Sequence, residues 1–224
     1  MLKRTGMILL GASLIPFCIG FLWELAATAT TVTYRPLVPY WFVGGFLLYI
    51  VIHALFRRPI LSYVVGHELT HVLFAVLFGG SVKAFHASER GGKVHLTKSN
   101  ALITLAPYFF PLYTFAALVA YWLARAAGAP LLEPWFVLLA GAAFSFHIVL
   151  TVIFLRTGQD DIREHGAFFS YPLIVLFNTV LTALLIRILL ARDMSFPSYL
   201  GDGIIKSIGI IVLGFRKLTG LLAP

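Results

Sequence analysis

Apolar runs of near-bilayer length, parted by short polar breaks, set the pattern of this chain. Residues 1–30 open with Lys3 and Arg4 and then run apolar to Ala29; runs at 41–56, 60–78, 100–125, 135–155 and 171–190 follow. Each approaches the roughly 20 residues that carry a helix across a hydrocarbon layer of about 30 Å. Trp23 and Glu24 interrupt the small-residue stretch that a cleaved leader would need, so the first run is expected to stay as a span. Pro107 and Pro111 fall inside the fourth run and should break its first half, because proline lacks the helical N–H and its ring clashes with the preceding turn. Residues 195–224 carry Asp202, Lys206, Gly209, Arg216 and Gly220 along one helical stripe, which predicts an interfacial amphipathic helix in preference to a seventh span.

One segment changes period. From Ser81 to Ser99 polar and apolar residues alternate on either side of Glu89-Arg90-Gly91-Gly92, the signature of a β-hairpin beside the membrane. Its backbone edges must be satisfied in protein, at the interface or in a water-filled cavity, and a free edge can accept an extended peptide as an added strand. The expected architecture is therefore all-α and polytopic. It has about six transmembrane helices, a small membrane-associated hairpin (81–99) after the third, and a C-terminal interfacial helix. Residues 1–195 form the membrane domain and 196–224 the amphipathic segment.

Composition agrees with this reading. The chain of 224 residues is 60% hydrophobic and 12% charged, against about 25% charged in soluble domains. A net charge of +8 is spread over loops and ends, which suits anionic headgroups and not a nucleic-acid partner. Cys18 is the only cysteine, so an internal disulfide framework is excluded. The basic residues fall on both sides of the spans and leave orientation open.

The chemistry lies inside the third apolar run, at His67-Glu68-Leu69-Thr70-His71. Histidines four apart share one helical face, so both imidazoles can reach one metal ion, while Glu68 can reach a water on it. Each polar group in a spanning helix costs free energy, up to about 3 kcal/mol for a charged one, and three together call for a function. A third ligand is available from Asp160 or Asp161, in the polar loop 156–166 before the sixth run. Alternating spans place that loop on the same side as the hairpin. His53 and His147 read as interhelical hydrogen-bond partners, with His147 also a candidate for contact near the site. His86 and His95 sit among the lysines of the hairpin and read as exposed.

These residues resemble the site-2 protease family of intramembrane zinc metalloproteases: the motif in an apolar helix, then a glycine-ended hairpin, then an aspartate beside a later span, over residues 59–185. The resemblance implies that His67, His71 and one aspartate bind zinc and that Glu68 is the catalytic base activating a zinc-bound water. Similarity to a Gly-Gln-x-Asp pattern favours Asp161 over Asp160. The aspartate lacks the Asn-Pro-Asp-Gly or Leu-Asp-Gly context common in that family, and the chain has no PDZ domain. The hairpin would present the substrate, with Lys93, Val94, His95 and Asn100 as candidate contacts. The implied activity is hydrolysis of a peptide bond in a membrane-protein substrate, within a bacterial inner (plasma) membrane. The rival expectation is a non-catalytic membrane binding protein whose metal site is structural, with His165 as a possible fourth ligand.

Overall fold

The computed structural model describes residues 2–56 and 58–221; Arg57, one of the charges ending the second run, lies outside the described residues. Among the described residues nine α-helices and one hairpin follow in order: α1 (Leu2–Thr31), α2 (Val38–Leu55), α3 (Ile60–Leu77), β1 (Val82–Ser88), β2 (Gly91–Leu96), α4 (Ala101–Leu105), α5 (Leu112–Ala126), α6 (Glu133–Leu155), α7 (Asp160–His165), α8 (Ala167–Leu185) and α9 (Phe196–Leu221). Among the described residues six helices, α1, α2, α3, α6, α8 and α9, are long and apolar enough to cross a bilayer. This is the make-up of a multi-pass membrane protein.

The fourth run is broken as the prolines require. α4 passes into a tight 3₁₀ turn, Ala106–Tyr108, and α5 leaves it at 76°. α9, expected as an interfacial amphipathic helix, is by length and composition also long and apolar enough to cross a bilayer. Lys206 pairs with Glu24 of α1, and Ser207 is fully buried.

The chain forms two compact units. One comprises residues 36–163. In it α2 and α6 meet at their glycines: Gly45 lies on the backbone of Leu138 and Gly141 on that of Phe42, closer than any side chain allows. The Trp41 and Trp135 rings lie 5.6 Å apart on the same seam. The α3 helix ends at Gly79, which takes the left-handed φ of +71°, while the Gly80 N–H returns to Ala75 O at 2.7 Å. The hairpin follows at once. Its strands are antiparallel, with Phe85 opposite Val94 and Ala87 opposite Gly92, and a bulge between Val82 and Ala84. Only Glu89 and Arg90 form the turn; Gly91 and Gly92 belong to β2.

The other unit comprises residues 1–35 and 164–224, where α1 packs against α8 and α9. Phe21, Ala183, Ala191, Met194 and Tyr199 form one buried cluster of its core. Glu24 is buried and held by Lys206 and by the Thr28 hydroxyl at 2.9 Å. Asn178 turns its amide to its own helix, at Ile174 O.

Candidate metal centre

The α3 helix supplies two donors one turn apart. The rings of His67 and His71 stand edge to face, and their Nε2 atoms are 3.2 Å apart. Asp161, in the first turn of α7, brings its Oδ2 to 3.2 Å from His67 Nε2 and 3.5 Å from His71 Nε2. The three atoms form a nearly equilateral triangle. A tetrahedral divalent ion with N and O bonds of about 2.0–2.2 Å needs ligand atoms roughly 3.3–3.6 Å apart. The triangle fits one face of such a tetrahedron, and two imidazoles with a carboxylate are a donor set that such an ion accepts. Among the described residues, these three form the group that could hold a metal ion.

The broken helix orients two of the three donors. The Asn100 side chain caps α4 by accepting from the Ile103 N–H at 2.9 Å. The Ile103 carbonyl in turn accepts from His71 Nδ1 at 2.9 Å, which fixes the tautomer and turns the Nε2 lone pair inward. One 3₁₀ turn later the Tyr108 hydroxyl, fully buried, donates to Asp161 Oδ2 at 2.9 Å. The Tyr108 ring also stands edge to face on His67, 5.1 Å between centroids. Burial opposes the charge on Asp161, but the His67 and His71 rings beside it outweigh that and hold the carboxyl well below the usual carboxylate range. Asp160, one residue earlier on the same helix, points to solvent with its side chain 98% exposed and meets only Arg163.

Glu68 is buried and is not one of the converging donors. Its carboxylate lies against β2, where the backbone N–H of Val94 approaches it. Gly92 makes this approach possible: a Cβ there would sit 2.6 Å from Glu68 Cγ and Oε1, and 2.7 Å from Val64 Cγ1. Thus the hairpin leans on the carboxylate of the motif.

Of the expected substrate contacts, Val94 is half-buried beside Glu68, while Lys93 and His95 are exposed on β2. Asn100 is committed to its cap. His86 is exposed, and His53 meets Tyr49 on its own helix, the hydroxyl 3.4 Å from Nδ1. His147 is buried and lines a recess beside His67. In the other unit the His165 ring is tilted against Phe169, 6.4 Å between centroids, with Nε2 3.8 Å from the Glu164 carboxylate. Sequence reasoning missed Tyr108, the Ile103 carbonyl and Gly92; the Pro107/Pro111 pair was the one signal that the backbone there leaves the helix.

Comparison with family models, with curated proteins and with solved structures found no match.

Proposed function

We propose that this protein is a zinc-dependent intramembrane endopeptidase that hydrolyses a peptide bond of a membrane-protein substrate. The observation that carries the reading is the donor triangle of His67 Nε2, His71 Nε2 and Asp161 Oδ2, with edges of 3.2, 3.2 and 3.5 Å. Three protein ligands are the usual set of a catalytic zinc, which keeps a fourth position for water or substrate. When bound, zinc supplies Lewis acidity: it acidifies a water to a pKa near 7 and polarises a carbonyl.

The remaining work falls to this chain's own side chains. Glu68 is the general base that takes a proton from the attacking water and returns it to the leaving amine. Its place next to the ligands but outside their triangle suits that role. The Ile103 carbonyl and the Tyr108 hydroxyl hold His71 and Asp161 in position, so the donors need little rearrangement. A helical substrate shields its carbonyls by its own hydrogen bonds and must unwind; β2, against Glu68, is where an extended segment would be received.

The test is Glu68→Gln in the full-length protein reconstituted in vesicles. Zinc content should match the parent, and cleavage of membrane peptides should fall by at least about 10³-fold, the upper part of the range for losing a positioned base with its proton. Cleavage at the parent rate would defeat the reading. A zinc held by four protein atoms, seen by X-ray absorption, would instead support a structural site on a binding protein.

A further inference from the structure

We infer that the recess beside His67 receives the substrate side chain next to the scissile bond, and that it admits only a small one, of alanine or serine size. The inference rests on the hydrolase reading above. The recess has room for about 20 Å³ and is walled by Tyr63, Gly66, His67, Phe110, Tyr113 and Phe146. It shares His67 with the donor triangle, so it borders the metal centre at that ring.

The capacity is small and the walls are fixed. A water needs about 10–15 Å³ by this measure, so the recess takes roughly one methyl or hydroxymethyl group. Tyr63 is stacked on Phe154 with centroids 4.3 Å apart. Tyr113 is tethered by its hydroxyl to Ser62 O at 2.7 Å, and Phe146 stands edge-on to both Tyr113 and Tyr49 at 5.5 Å. Gly66 forms part of the wall because a Cβ there would come 2.6 Å from the Tyr113 ring. Rings held on several sides do not retreat cheaply, and overfilling a packed site is costly. The substrate class is therefore a membrane segment with a small residue at the cleavage position. Leucine, the commonest residue of such segments, is excluded by size.

The experiment measures binding and needs no known substrate. Full-length protein in detergent micelles, loaded with zinc and checked for metal content, is titrated with N-acylated hydroxamates of glycine, alanine, serine, leucine and phenylalanine. The hydroxamate group takes the metal, the side chain probes the recess, and calorimetry reads affinity. Alanine and serine probes should bind about tenfold or more tighter than leucine and phenylalanine, since one surplus methylene is worth 10-fold or more in such a pocket. Phe146→Ala should raise leucine to or above alanine, and Leu112→Ala, at another wall, gives the same shift should the first variant fold poorly. An order that follows hydrophobicity and ignores both substitutions overturns the pocket, as does a zinc-loaded protein that binds no hydroxamate. A protein that takes up no zinc overturns the hydrolase reading beneath it.

Discussion

Tyr108 gives its hydroxyl hydrogen to Oδ2 of Asp161, the same oxygen toward which both imidazoles turn. The donor that closes the triangle is thus held from behind by a buried phenol on a broken helix. Tyr108→Phe removes the tether and keeps the ring. Zinc affinity, measured by competition with a chelating dye, should fall about 10- to 100-fold, the usual cost of losing an outer partner of a ligand, while helicity is unchanged.

The two neighbouring aspartates should behave as opposites. Asp161→Asn should abolish stoichiometric zinc binding, since it removes one of three donor atoms. Asp160→Asn touches a solvent-exposed side chain and should leave metal content as it is. Metal analysis of the two purified variants decides this.

Gly92→Ala should separate chemistry from metal binding. Its Cβ collides with Glu68 and Val64 and not with the ligands. Zinc content should stay near the parent value while hydrolysis of membrane peptides drops at least about tenfold, from displacement of the base by a fraction of an ångström or more.

Acid should strip the metal through the imidazoles and not through the carboxylate. The folded-state value of Asp161 is depressed. It therefore stays ionised, and the stability it adds is present above the ordinary value of about 3.9 and lost only as pH falls below that. Histidine nitrogens must shed protons to bind metal, so zinc occupancy at limiting metal should decline on acidification well before the carboxylate is protonated. A midpoint near 4 would point instead to the carboxylate as the group that gives way.

In the other unit, Glu24 and Lys206 form a part-buried ion pair between α1 and α9, with Lys206 also lying over the Trp23 ring. Glu24→Gln or Lys206→Met alone leaves the other charge without its partner and should cost about 1–3 kcal/mol. The double variant should regain most of this in a detergent-unfolding series.

How much could be read beforehand follows from the range of each interaction. The α3 motif, the hairpin and the break at Pro107 and Pro111 are local signals, carried by periods of 3.6 and 2 and by prolines. The helix end at Gly79 is equally local. The choice of Asp161 over Asp160 came from a pattern in related sequences, and its physical reason is a turn of about 100° along α7, set by where that helix docks. Tyr108 read as one aromatic in an apolar run, and Gly92 as part of a turn. Their roles arise from contacts with residues far along the chain, which no local pattern encodes. For the same reason the pairing of Lys206 on α9 with Glu24, 182 positions away, was not legible.

His67 and Asp161 stand 94 positions apart, with the prop at Tyr108 between them. A chain still emerging from its ribosome has the histidine pair long before it has the aspartate. Any cation held by this trio would therefore be captured late in biogenesis, after the aspartate has followed the histidines into place.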